Sequence, residues 1–128
     1  MTQEILIVED DSALREALTQ VLTDEGYELL SARDGLEAVN CLKKGHRPDV
    51  ILLDLSMPVV NGWEFRMFQK RDPDLADIPV ILITAGAYSR DEVAWLEPSA
   101  LIHKPLDLPY LLSVIRQYCA ASEETEAE

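Results

Sequence analysis

Basic residues are scarce in this chain: 11 Lys and Arg stand against 24 Asp and Glu, a net charge of −13. Glu123, Glu124, Glu126 and Glu128 concentrate part of that surplus at the end. What remains argues against nonspecific nucleic-acid binding, which needs a basic face. It disfavours anionic membranes too, and suits cationic partner surfaces or plain solubility. Long apolar runs are missing as well. None approaches the roughly 20 residues of a membrane span, and the N-terminus is not a signal peptide. Cysteine is nearly absent. Cys41 and Cys119 fall in predicted helices without CxxC or metal spacing, and read as reduced packing residues of a cytoplasmic protein. There is no GxxxxGK run followed by Ser or Thr, which argues against a P-loop nucleoside triphosphatase, and a lone Gly86 is no dinucleotide fingerprint. No Ser-His-Asp triad is readable. His46 is a loop residue, and His103 points to the face opposite Lys104.

What is present is enough for one domain. A chain of 128 residues buries about two thirds of the surface its unfolded form exposes. It is organised around Pro48-Asp49-Val50-Ile51-Leu52-Leu53-Asp54-Leu55-Ser56-Met57-Pro58, closed by Asn61-Gly62. An unbroken Val-Ile-Leu-Leu run suits a strand buried on both faces. An acid inside such a strand would be costly. Asp54 belongs at its carboxyl end, where an open α/β sheet exposes its crevice.

The other elements follow in order. Glu4 to Val8 is a strand ending in Glu9-Asp10-Asp11, and Ser12 is placed to cap a helix that Gly26 stops. Tyr27 to Ala32 is a second strand, and Leu36 to Lys44 a second helix with Leu36, Val39 and Leu42 inward. A third helix spans about Gly62 to Arg71. Pro79 to Thr84 is a fourth strand, and Ser89 opens a short fourth helix that Pro98 ends. Ala100 to His103 is the fifth strand, and Asp107 caps a last helix that buries Leu111, Leu112, Ile115, Tyr118 and Cys119. Residues 122–128 read as an acidic, disordered tail after a domain of residues 1–121. Trp63 and Trp95 read as core or half-buried packing before a partner patch. Five strands alternating with five helices mean one parallel sheet with helices on both faces.

Four strands repeat one pattern, an apolar run followed by polar residues: Glu9 and Asp10, then Asp54, then Thr84, then Lys104. In a parallel sheet those ends share one edge. The fold thus gathers three carboxylates, a hydroxyl and an ammonium. Crowded carboxylates repel unless a cation intervenes, and oxygen ligands without Cys or His select Mg²⁺ or Mn²⁺. Lys104 and Thr84 are the types that hold phosphoryl oxygens, and a carboxylate can itself be the nucleophile. The residues alone point to metal-assisted phosphoryl transfer onto Asp54. The bland readings are a helix N-terminus favouring acids at Glu9-Asp10-Asp11, a surface Lys104 and an ordinary strand end at Thr84. They weaken when the four placements are taken together.

With Ile5-Leu6-Ile7-Val8-Glu9-Asp10-Asp11, Asp54-Leu55-Ser56-Met57-Pro58, Asn61-Gly62, Ile83-Thr84-Ala85 and Lys104-Pro105 in this order, the chain resembles the receiver domains of two-component signalling. The likeness runs from about residue 4 to 120. It implies a flavodoxin-like, doubly wound fold of strand order 2-1-3-4-5, the order the chemotaxis receiver illustrates. It further implies that Asp54 accepts a phosphoryl group from a histidine kinase or phosphotransfer protein. Asp10 and Asp54 would bind Mg²⁺ directly, Glu9 through water, and the Ser56 backbone carbonyl would complete the protein ligands. Thr84 and Lys104 would contact the phosphoryl group, with a cis Lys104–Pro105 peptide. By that likeness the chain is no turnover enzyme beyond its own phosphorylation and dephosphorylation. It would switch a contact surface for a downstream protein partner, without touching nucleic acid or membrane.

Three departures stand out. Leu101 occupies the place, three residues before Lys104, where receivers carry the Tyr or Phe whose rotation reports phosphorylation. Leu96-Glu97-Pro98-Ser99 replaces the usual small-residue turn before strand 5. Ser56 and Gly86 are both small, which predicts ready access of water and a short-lived acyl phosphate. The alternative is an interaction module of this fold whose output ignores phosphorylation. A phosphatase working through an aspartyl-phosphate fits less well, because Ser56 stands where such enzymes place a second acid.

Overall fold

Val50–Asp54 forms strand β3, buried along its whole length, as an apolar run covered on both faces must be. The structure is a computed structural model and describes residues 3–55, 62–86 and 89–127. Around β3 lie β1 (Glu4–Val8), β2 (Glu28–Ala32), β4 (Val80–Thr84) and β5 (Ala100–His103). All pairings are parallel and the order is β2-β1-β3-β4-β5. The doubly wound sheet expected from the sequence is therefore the one observed. The helices are α1 (Ser12–Asp24), α2 (Gly35–Lys43), α3 (Gly62–Arg71), α4 (Arg90–Val93) with a 3-10 turn at Ala94–Leu96, and α5 (Leu108–Ala127).

Strand alternation divides the core in two. Ile5, Ile7, Val50 and Leu52 meet Leu18 and Leu22 of α1 and Leu111, Ile115 and Cys119 of α5. Leu6, Val8, Ile51 and Leu53 meet Ala38 and Leu42 of α2, Phe65 of α3, and Val93 and Leu96 beyond β4. Trp63 is half-buried against this second core, in keeping with its reading as a packing residue. The Trp95 side chain lies outside the described residues. Two apolar layers against one sheet leave only its ends for polar chemistry.

Local chemistry sets the helix limits. Asp11, not Ser12, caps α1: its backbone is extended and its Oδ1 accepts the Leu14 N–H at 3.1 Å. Both residue types cap well, so the choice falls to whichever stays extended. Gly26 and Gly45 close α1 and α2 at φ +95° and +104°, a region glycine enters at no steric cost. Leu36 is 47% exposed rather than inward. It sits about 200° around the helix from Ala38, on the side away from the sheet. The Ser89 hydroxyl accepts the Glu92 N–H and opens α4, which tightens into the 3-10 turn and ends at Glu97, φ +53°. α5 continues to Ala127, past Ser122, where the sequence suggested an unstructured tail. Ala and Glu, which dominate that stretch, are good helix formers.

Candidate functional site

The carboxyl ends of β1, β3, β4 and β5 share one edge of the sheet. Glu9 follows β1 and is 2% exposed; Asp54 ends β3 and is 4% exposed. Asp10 is exposed beside them. Glu9, Asp10 and Asp54 each offer a carboxylate oxygen, all within 4.8 Å of one another. Lys104, one residue past β5, bridges them, with Nζ 2.8 Å from Glu9 Oε1 and 3.3 Å from Asp54 Oδ2. Thr84 ends β4 fully buried, and its hydroxyl oxygen accepts the Gly86 N–H at 2.9 Å. The Lys104 N–H is held by the Thr84 carbonyl at 2.8 Å. The Lys104–Pro105 peptide is cis. Ser56, whose carbonyl the resemblance made a ligand, lies outside the described residues, as do Met57, Pro58 and Asn61. His103 is exposed at the end of β5.

Crowding three acids has an electrostatic cost, and Glu9 bears it. Burial lifts its carboxyl to about 7, adjoining Asp54 and Asp10 add to the rise, and Lys104 opposes it. Desolvation therefore outweighs the ion pair. Glu9 Oε1 is buried and meets Lys104 Nζ at 2.8 Å, a charge-assisted contact. For Lys104, burial alone would lower the pKa, but Glu9 and Asp54 outweigh it and hold the ammonium above its usual value. One cation among three acids leaves negative charge in excess. That donor set, all carboxylate, fits a hard divalent cation.

Two residues that sequence reasoning passed over, or valued only as part of a motif, fix this edge. Arg15 of α1 donates from Nη1 to the Glu9 carbonyl at 2.8 Å. The one available signal was a base one turn into the helix after the acidic pair. Gly62 opens α3 hard against β3: a Cβ there would collide with the Asp54 carbonyl oxygen and lie 2.7 Å from Leu55 Cα. Only glycine permits this approach.

A family model, the response regulator receiver domain, matches residues 5–116. The chain belongs to that family. The receiver is 37% identical over 120 residues to the polar-differentiation response regulator DivK of Brucella ovis, covering 92% of this chain and 97% of that protein. Its fold matches the signal receiver domain of a signal transduction histidine kinase from Syntrophus aciditrophicus at TM-score 0.84 and 38% identity, covering 94% and 92% of the two chains. It also matches the receiver domain of a Pseudomonas aeruginosa sensor histidine kinase, at TM-score 0.84 and 25% identity over 94% and 99% of the chains. That domain holds a magnesium ion in its active-site cleft. The protein is thus a response-regulator receiver domain of two-component signalling, a signalling module rather than a turnover enzyme. Among the described residues, no helix is long and apolar enough to cross a membrane.

Proposed function

We propose that Asp54 of this receiver accepts a phosphoryl group from the phosphohistidine of a kinase or phosphotransfer protein, and that the phosphorylated form is read by a second protein. What carries the reading is Lys104 spanning Glu9 and Asp54 at 2.8 and 3.3 Å, with the Asp10 carboxylate in the same cluster. Such a group of acids around one reactive carboxylate has no packing purpose at a sheet edge.

An Asp54 oxygen forms the new bond to phosphorus as the bond from phosphorus to the donor imidazole breaks, and the imidazole nitrogen keeps that electron pair. Lys104 exchanges its contact with Asp54 Oδ2 for a phosphoryl oxygen and keeps a charge-assisted hydrogen bond throughout. The Thr84 hydroxyl, which accepts from Gly86, keeps its own proton to donate to another phosphoryl oxygen. Glu9, Asp10, Asp54 and the Ser56 carbonyl would hold Mg²⁺, with Glu9 acting through water. When bound, that ion supplies the positive charge that lets two anions approach. Water completes the cycle by hydrolysing the acyl phosphate, so the domain catalyses only its own phosphorylation and dephosphorylation. Residues 1–121 make up the receiver unit, and the acid-rich residues 122–128 extend it.

The decisive test is intact-mass analysis after incubation with Mg²⁺ and acetyl phosphate. One added phosphoryl group is expected on the wild type and none on Asp54→Asn. Equal labelling of both proteins, or none of either, would refute the assignment. The charge placed on Asp54 then biases the packing of the surface formed by β4, α4, β5 and α5.

A further inference from the structure

Arg66 of α3 is 4% exposed, and its guanidinium is spent on neutral oxygens. Nε donates to the Leu96 carbonyl at 2.7 Å, Nη2 to the Glu97 carbonyl at 2.9 Å and Nη1 to Gln69 Oε1 at 2.8 Å. Gln69 is fully buried, and its Nε2 donates to the carbonyls of Leu75 at 2.8 Å and Ile78 at 3.1 Å. A half-satisfied buried polar network is costly, whereas one with these partners rigidifies what it joins. The network joins α3 to the end of the 3-10 turn and to the chain leading into β4. Leu96 and Glu97 end a helical segment, where carbonyls lack partners within the helix and a cation is favoured. One turn further along α3, Lys70 Nζ lies 3.3 Å from Glu97 Oε1.

The opposite end of the same helix rests on the acceptor. Gly62 lies against the Asp54 carbonyl with no room for a methyl group. Gly62 and Arg66 are four residues apart, roughly 6 Å along the axis. α3 is thus a short rigid strut with one end on the Asp54 backbone and its next turn fastened to Leu96 and Glu97. From Glu97 the chain passes through Pro98 and Ser99 into β5, where half-buried Leu101 pairs with Leu82 and shares the core of α2 and α3. Glu97, Pro98, Ser99 and Leu101 line a groove closed on its far side by Tyr110 and Tyr118 of α5.

We propose that Arg66 is a positioning residue that carries the state of Asp54 through α3 to Leu96–Leu101, in place of an aromatic side chain at position 101. The proposal rests on Asp54 being the phosphoryl acceptor. A shift of the Asp54 backbone displaces the Gly62 end of α3, and the Arg66 bonds hand that displacement to the Leu96 and Glu97 carbonyls. The groove beside β5 changes shape in consequence.

The test compares wild type with Arg66→Met by amide NMR, with and without beryllofluoride and Mg²⁺, alongside intact-mass analysis with acetyl phosphate. Arg66→Met keeps the length and removes the donors. Phosphoryl uptake should match wild type, because Arg66 touches nothing in the site. The beryllofluoride-induced shifts at Leu96–Leu101 should fall about threefold or more, while those at Asp54, Thr84 and Lys104 persist. Should Arg66→Met fail to fold, Arg66→Lys replaces it; one ammonium cannot hold both carbonyls as the guanidinium does, so the distal shifts should fall by about half or more. Undiminished shifts at Leu96–Leu101 overturn the coupling, as does a wild type that takes up phosphoryl without any change there. A wild type that takes up no phosphoryl group overturns the acceptor assignment, and the coupling with it.

Discussion

Replacing Glu9 by Gln should remove a pH dependence that the metal-free site imposes on stability. The Glu9 carboxyl titrates at about 7 in the folded protein against an ordinary value of 4.5, chiefly because it is buried. A folded pKa above the unfolded one means that the folded protein binds the proton more tightly. The stabilisation is complete below about 4.5 and is lost as the pH rises through about 7. Between about pH 5 and about pH 8 the linkage amounts to about 2–3 kcal/mol. Urea unfolding in the presence of a chelator measures it directly. Wild type should lose that much more stability than Glu9→Gln over the same interval. The same proton competes with the ion: Mg²⁺ affinity, followed by calorimetry, should weaken roughly tenfold from about pH 8 to about pH 6. Identical pH profiles for the two proteins would show that Glu9 does not carry this charge burden.

Gly62→Ala should destabilise the fold by about 1–3 kcal/mol in a thermal or urea melt, because its methyl group meets the β3 backbone and not a side chain that could yield. The loss should come without any change in helix content elsewhere. Phosphorylated protein prepared with acetyl phosphate should return to the unmodified mass within minutes to an hour, since Gly86 brings no side chain to screen the site from water. A half-life of many hours would contradict that expectation.

The sequence revealed the site more completely than the helices around it. The site depends on where four apolar runs end, and the register of a parallel sheet then leaves Glu9, Asp54, Thr84 and Lys104 no choice of neighbour. Their polarity stands out against the Val, Ile and Leu that precede them. Arg66 and Gln69 give no such contrast. On an amphipathic helix they look like solvent-facing residues, and only the oxygens of Leu96, Glu97, Leu75 and Ile78, distant in the chain, make their burial favourable. Leu36 differs in the opposite sense: the helical pattern of apolar residues points it inward, but the buried stripe is set by Ala38 and Leu42. At the start of α1, Asp11 and Ser12 are chemically equivalent caps, and composition cannot choose between them. Gly62 belonged to a recognisable motif, yet its purpose is a backbone-to-backbone contact that no residue pattern spells out.

The strand that carries Asp54 is, like β4, buried along its whole length between two other strands. With a strand on each side and an apolar layer above and below, β3 is held along its length, and its carboxyl tip, where Asp54 meets Gly62, is the part left to shift. Information has to leave sideways, through whichever peripheral parts lean on that tip.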